Sequence, residues 1–200
     1  LISDPGSEKI IRYAFEYAKA YGRKKVTCMT KDNIMKHSDG MFHNIFDEIK
    51  LEFPEIVADH WIVDIGSAVV AARPETLDVV VTLNLYGDII SDVAAEVTGS
   101  VGLGGSANVG DNFAMFEAIH GSAPDIAGQG IANPIAQILS VAMLLRHSVG
   151  EAEAADAIEA AVNAAIASGM RTGDLYTGAK GETKATTAEM GQAIITALSI

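Results

Sequence analysis

The chain has 200 residues, 49% hydrophobic and 20% charged, which is the balance of a folded domain rather than a disordered segment. Its 14 Lys and Arg face 26 Asp and Glu, with 10 basic and 16 acidic residues in positions 1–100 and 4 and 10 in positions 101–200. An acidic chain with no basic block speaks against a nucleic-acid surface, where Lys and Arg on phosphates supply most of the affinity. Pro5-Gly6-Ser7 leads into a helix over Glu8–Tyr21, with Ile10, Ile11, Ala14, Phe15 and Ala18 at helical spacing and Gly22 as the stop. Lys24–Thr30 reads as a strand and Lys31-Asp32-Asn33 as a polar turn. Met41–Leu51 is an amphipathic helix ending before Pro54, Ile56–Val63 alternates like a strand, and Ala68–Ala72 is a short helix closed by Arg73-Pro74. Asp78–Thr82 is a β-branched run, the pattern of a strand buried on both faces, and Asp88–Val97 is helical.

The texture changes at Gly99–Gly110, where five glycines in twelve residues mark a crossing between domains or layers. Within it, Gly102-Leu103-Gly104-Gly105-Ser106-Ala107 superficially resembles a dinucleotide fingerprint. No predicted helix opens at its end, so it reads as a flexible connection. Phe113–Ala118 is a short strand and His120–Gly130 a loop rich in Gly, Ala and Pro. Pro134 sits at the first turn of a helix to His147, and Ala-rich Glu151–Ser168 is a second helix stopped by Gly169. Gly173–Thr183 is a loop and Thr187–Leu198 the last helix. Strands alternating with helices predict an α/β fold. The longest apolar run, Ile138–Leu145, is shorter than the ~20 residues of a membrane span, and no targeting segment is visible, so a soluble protein is expected. The single cysteine, Cys28, cannot form an internal disulfide and fits a reducing compartment.

The segment from Asn84 to Asp92 follows the buried strand and opens a helix. Asp88 and Asp92 are four apart and share a face, an arrangement that repels in isolation and that a hard divalent cation would reverse. A solvated acidic first turn is the alternative. Asp64, at the end of a strand, reads as a helix N-cap or as the third member of a carboxylate set for Mg²⁺ or Mn²⁺. No Cys/His cluster suggests zinc. Lys31 at a strand end is either a surface lysine or, beside a metal, a proton acceptor. The loop around His120 and Asp125 is nearly without bulk, so a flat polar ligand can lie against its backbone. A capped loop histidine and a turn aspartate after Pro124 are the alternatives there.

Three motifs in this chain order, Lys31–Lys36, Asn84–Asp92 and Phe116–Asn133, resemble the metal-dependent β-decarboxylating dehydrogenases: isocitrate, isopropylmalate, homoisocitrate and tartrate dehydrogenases. The resemblance covers essentially the whole chain, and matches roughly the second half of a family subunit. It implies a two-domain α/β fold that is not a Rossmann fold, with the N-terminal part of the large domain missing. Residues 1–98 would be the small domain, for dimerisation and the active site, and 99–200 the C-terminal part of the large, cofactor-binding domain. It implies metal ligands Asp88 and Asp92 from one subunit and Asp64 from its neighbour, catalytic roles for Lys31 and Asp64, and substrate contacts from Lys31 and Asn33. The active site would be shared across a homodimer.

Glu117, His120, Gly121, Ser122, Ala123, Pro124, Asp125, Ile126 and Asn133 match the family's cofactor site. An acid at Asp125 accepts bonds from ribose hydroxyls and repels a 2′-phosphate, which favours NAD; NADP-using members tend to carry Lys and Tyr at positions 125 and 126. The segments Asn33-Ile34-Met35-Lys36 and Ser38-Asp39-Gly40 look like those of isocitrate enzymes. Positions 65–72 depart from the family pattern, lacking the amide and longer polar residues usual after the interface aspartate. The expected activity is oxidative decarboxylation of isocitrate to 2-oxoglutarate, a tricarboxylic acid cycle step, in the cytoplasm or the mitochondrial matrix. The alternatives are a 3-isopropylmalate or homoisocitrate dehydrogenase, or a non-catalytic subunit of the same family.

Overall fold

The computed structural model describes residues 1–198. The chain divides into two compact units, one spanning Leu1–Val97 and the other starting at Thr98. In the first unit the order is α1 (Asp4–Ala20), β1 (Lys25–Thr30), α2 (Ser38–Ile49), β2 (Val57–Ile62), α3 (Val63–Ala72), β3 (Val79–Thr82) and α4 (Asn84–Thr98). The three strands form a parallel sheet in the order β2-β1-β3, with Cys28 level with His60 on one side and Val81 on the other.

Alternation along the strands sends side chains to two layers. Val26, Cys28 and Val81 pack with Ile11, Phe15 and Ala18 of α1 and Phe42, Phe46 and Ile49 of α2. Met29, Trp61 and Val80 pack on the other side with Val70 of α3 and Ile90 of α4. Burial of Cys28 pushes its thiol far up, so it behaves as a small apolar core residue. A Cβ at Gly66 would sit 2.6 Å from Met29 Sδ, so α3 closes onto the sheet here against the buried Met29 side chain, which any larger residue would have to displace.

Each helix after β2 and β3 begins as soon as its strand ends. Helix α3 therefore starts at Val63 rather than Ala68, and α4 at Asn84 rather than Asp88. Ile62, before α3, makes no side-chain cap, so nothing in the local sequence announces that start. Asp88 and Asp92 consequently lie inside α4, whose first turn holds no acid. The helix-terminus explanation of this pair loses its basis, because the dipole effect fades within the first turn.

In the second unit, β4 (Gly105–Val109) pairs antiparallel with β5 (Ala114–Ala118), and α5 (Ile135–Leu144) packs against both. The expected flexible glycine connection is instead ordered. A Cβ at Gly104 would meet Ile119 Cδ1 at 2.5 Å, and one at Gly105 would meet the Ser140 backbone nitrogen at 3.1 Å. These glycines serve close approach rather than mobility. A π-helical turn, Leu145–Val149, ends α5. Helices α6 (Ala152–Ala167) and α7 (Thr187–Ala197) complete a core of Ile135, Ala161, Val162, Ala165, Met190 and Ile194. Among the described residues no helix is long and apolar enough to cross a membrane.

Two-residue strands β6 (Met170–Arg171) and β7 (Thr183–Lys184) pair in parallel and bracket the loop 172–182. The Glu182 carboxylate gathers that loop, accepting the backbone N–H groups of Thr177, Gly178 and Ala179. Those bonds, the one from Thr177 first, hold Glu182 below the usual carboxylate range. Gly169 sits beneath at φ +94°, where a Cβ would overlap the Gly181 carbonyl oxygen. Gly169→Ala combines a left-handed backbone with that overlap. It is expected to destabilise the protein by more than about 2 kcal/mol. Urea unfolding checks this, and a change under about 0.5 kcal/mol would contradict the packing described.

Candidate active site and cofactor pocket

In the first unit the family-matched residues collect at the carboxyl ends of the three parallel strands, where open α/β sheets place their ligands. Lys31 follows β1, Asp64 lies in the first turn of α3 after β2, and α4 carries Asp88 and Asp92 after β3. Lys31 Nζ donates to Asp64 Oδ1 at 2.6 Å. That bond, more than any other contact, holds the exposed Asp64 carboxyl below its ordinary range. Asp88 and Asp92 are exposed on α4, and Asn84 Nδ2 reaches Asp88 Oδ2 at 3.3 Å. Among the described residues the carboxylates of Asp64, Asp88 and Asp92 are not gathered around one point within this chain. As a donor set they fit a hard divalent cation, being carboxylate oxygens with open solvent access. Asn33 is exposed in the turn after Lys31.

Asp39 is the residue that sequence reasoning missed here. It is only 1% exposed. Its Oδ2 accepts the backbone N–H of Lys31 at 2.7 Å, and its Oδ1 accepts the Ser38 hydroxyl at 2.8 Å. Burial and the neighbouring Asp39 carboxylate push the Tyr86 phenol of α4 up to about 12. One buried carboxylate therefore fixes the backbone of Lys31 and borders the helix that carries Asp88. Its only sequence trace is an acid at the start of an amphipathic helix, where acids are common.

The second unit holds a cavity of about 1010 Å³, the size of a nucleotide-class ligand site. Of the cofactor residues matched by resemblance, His120, Gly121, Ser122, Ala123, Ile126 and Asn133 line it. Glu117 lies on β5, exposed, with Asn108 Nδ2 donating to its Oε1 at 2.9 Å. Pro124 and Asp125 form a 3-10 turn with Ile126 beside the cavity, and the Asp125 side chain is exposed. His120 Nδ1 lies 2.8 Å from the Gly121 carbonyl oxygen. A carbonyl only accepts, so Nδ1 donates in this contact. Ala123, at φ +43°, is the one non-glycine residue with positive φ among the described residues, a local strain that turns the loop at the cavity wall.

With Asn133, the cavity lining includes Ser100 and Asp174, which the sequence did not announce. Ser100 Oγ and Asn133 Nδ2 both donate to Asp174 Oδ2, at 2.5 and 3.0 Å. Burial opposes ionisation of Asp174, yet these bonds outweigh it and hold the carboxyl below its usual range. Asn133 Oδ1 accepts the Ile135 N–H, so one amide joins the cavity floor to the start of α5. Lys184 and Thr186 also line the cavity. Thr186 and Glu189 form a capping box at the start of α7, a signal present in the sequence as Thr-x-x-Glu.

The family model described as isocitrate/isopropylmalate dehydrogenase matches residues 1–194. An isocitrate dehydrogenase (NADP) from Rickettsia bellii is 56% identical over 195 residues, covering 98% of this chain and 40% of that protein. A homoisocitrate dehydrogenase from Methanocaldococcus jannaschii is 49% identical over 175 residues, covering 88% of this chain and 50% of that protein. The crystal structure of isocitrate dehydrogenase from Methylococcus capsulatus superposes with a TM-score of 0.93 at 47% identity, covering 99% of this chain and 57% of the other. The chain thus spans about half or less of the length of these relatives. On the match over residues 1–194, the chain belongs to the isocitrate/isopropylmalate dehydrogenase family.

Proposed function

We propose that this chain is part of an NAD-dependent isocitrate dehydrogenase that works as a homodimer with shared active sites. The observation that carries the reading is the Lys31–Asp64 pair at the strand ends, with Asp64, Asp88 and Asp92 forming no single cluster within one chain among the described residues. One chain thus offers two partial sites, and a second copy would complete each. The helices carrying these acids support that assembly, because they expose apolar side chains: Leu85 is 66% exposed, Ile89 54% and Ile65 50%.

Asp64, Asp88 and Asp92 would hold Mg²⁺ or Mn²⁺, which when bound supplies Lewis-acid polarisation of a hydroxyl and its neighbouring carboxylate. Lys31 Nζ would take or relay the substrate hydroxyl proton, and Asn33 would contact the substrate. The cavity in the second unit would hold the nucleotide, which accepts hydride when bound. There the loop from His120 to Ile126 would lie under the adenosine, Asn133 would form part of the cofactor site, and Glu117 would stand at the margin. Isocitrate is favoured over 3-isopropylmalate and homoisocitrate by the 56% identity to a protein named isocitrate dehydrogenase, against 49% to one named homoisocitrate dehydrogenase. The retained Lys31, Asp64, Asp88 and Asp92 speak against a non-catalytic subunit. A cytoplasmic or matrix location accompanies this reading.

NAD is proposed because Asp125 can accept the ribose 2′- and 3′-hydroxyls, a charge-assisted contact of roughly 1.5–3 kcal/mol, and would repel a 2′-phosphate. Two observations favour NADP as the second reading: the Rickettsia relative is named for NADP, and Lys184 lines the cavity. The test is kcat/KM of the complete subunit with isocitrate, 3-isopropylmalate and homoisocitrate, each with NAD and NADP. The expected result is isocitrate with at least about tenfold preference for NAD, each 1.4 kcal/mol being a factor of ten. Asp125→Lys with Ile126→Tyr should move the preference toward NADP by supplying phosphate donors. Equal use of both nucleotides by the wild type, or no shift in the double variant, would remove Asp125 from its role.

A further inference from the structure

Three side chains that no motif links meet on the α2 side of the sheet. Asp32 follows β1, His60 lies on β2 and His43 on α2. Asp32 Oδ2 lies 2.7 Å from His43 Nδ1 and 4.0 Å from His60 Nε2. The two imidazoles stack with centroids 3.6 Å apart and planes within 18°. All three side chains are about one-fifth to one-quarter exposed, at 22%, 25% and 18% in the order Asp32, His43, His60, so the cluster is sheltered but reachable.

An aspartate bonded to a helix histidine is a common structural pair, and that reading accounts for His43. It does not by itself bring His60 to the same carboxylate, where that ring stacks on His43. The Thr30 hydroxyl lies 2.8 Å from His60 Nε2 and accepts the Asp32 N–H at 3.3 Å. Nε2 has a single in-plane lone pair, so an ion bound there would take the place of the Thr30 contact. His43 Nε2 lies 3.7 Å from Asp47 Oδ2, an ion-pair spacing that must shorten for Asp47 to act as an outer carboxylate. A ligating histidine with an outer carboxylate on its second nitrogen is the usual support of a bound metal.

We propose that Asp32, His43 and His60 form a separate site for a borderline divalent ion of the zinc class, completed by water. Two imidazole nitrogens and one carboxylate oxygen suit such an ion and disfavour Mg²⁺, which takes oxygen ligands in an octahedron. Bond lengths of about 2.0–2.1 Å put tetrahedral ligand atoms roughly 3.3 Å apart. Reaching that from the present spacings requires the His43–Asp32 contact to open by about 0.6 Å and the His60–Asp32 contact to close by about 0.7 Å, with the stacked rings turning toward one point through their side-chain torsions. Asp32 stands between Lys31 and Asn33 in the sequence, but the cluster includes none of Asp64, Asp88 and Asp92 and does not rest on the proposed reaction. No zinc pattern is visible in the sequence because the donors come from a turn, a helix and a strand, without the short ligand spacing of zinc motifs.

The test uses the complete subunit, stripped by a chelator and returned to millimolar Mg²⁺ so that carboxylate sites are filled. Zn²⁺ is then titrated in competition with a chromophoric chelator. One equivalent per chain is expected to bind despite the Mg²⁺. His60→Gln and Asp32→Asn should each weaken it at least tenfold, and Asp47→Asn about tenfold. Asp88→Asn should leave it unchanged, which separates this site from the proposed catalytic one. Absence of binding in the wild type, or an unchanged affinity in folded His60→Gln protein, overturns the proposal. Should that variant not fold, the wild type decides: the ring resonances of His43 and His60 must both shift on Zn²⁺ addition, and unmoved resonances overturn it equally.

Discussion

Subunits carrying Lys31→Ala and subunits carrying Asp88→Asn, each nearly inactive alone, are expected to regain activity when mixed under conditions of exchange. Each parent should lose about a hundredfold or more in kcat, the usual cost of removing a group that moves a proton or fixes the reacting atoms. The recovery follows from how the residues are distributed. Lys31 and Asp64 pair within one chain, and Asp88 and Asp92 are not gathered with them. In a twofold dimer that shares its sites, a hybrid has one site with both lesions and one with neither. Random reassortment then gives about a quarter of wild-type activity. Activity that stays at the parental level, with exchange demonstrated independently, would mean that each site is built within one chain.

Phe15→Ala carries the largest expected effect on stability, about 3–5 kcal/mol. Its ring is fully buried, 5.4 Å from Phe46 and 5.1 Å from Phe53. It thus joins α1 to α2 and to the segment entering β2, and its removal leaves a cavity that three elements would have to close together. Tyr13 on the same helix is 41% exposed, and Tyr13→Ala is the matched control, expected to cost about 1 kcal/mol or less. Denaturant unfolding of the two variants measures the difference. Equal losses would show that the layer between sheet and helices is not where the unit's stability resides.

What could be read from the sequence follows from how local each determinant is. Helix α1 was legible because Ile11, Ala14, Phe15 and Ala18 repeat at helical spacing and are buried together. Strands β1 and β3 were legible as short β-branched or apolar runs. The starts of α3 and α4 were placed late, because each follows its strand with no intervening turn. Strand β4, Gly-Ser-Ala-Asn-Val, has weak strand propensity and exists through its pairing with β5. In the candidate sites, the common face of Asp88 and Asp92 is a matter of four-residue spacing and was visible. The contacts of Asp39 with Lys31 and of Asp174 with Ser100 and Asn133 depend on folding. The last two join residues 74 and 41 positions apart, beyond the reach of any local pattern.

The glycines of the segment entering the cavity bear on how this pocket can change over evolutionary time. At Gly102 a Cβ would lie 2.8 Å from Asn133 Cβ and 2.9 Å from Asp174 Oδ2, so the floor is set by backbone pressed against side chains already committed to one another. No substitution there can reshape the cavity gradually, because the first added carbon already collides. The rim is different: the loop from Ser122 to Ile126 and the segment around Lys184 carry exposed side chains with room to vary. Drift in what the cavity accepts is therefore channelled into these two stretches. A lineage can exchange one nucleotide preference for another at the mouth while the floor stays frozen.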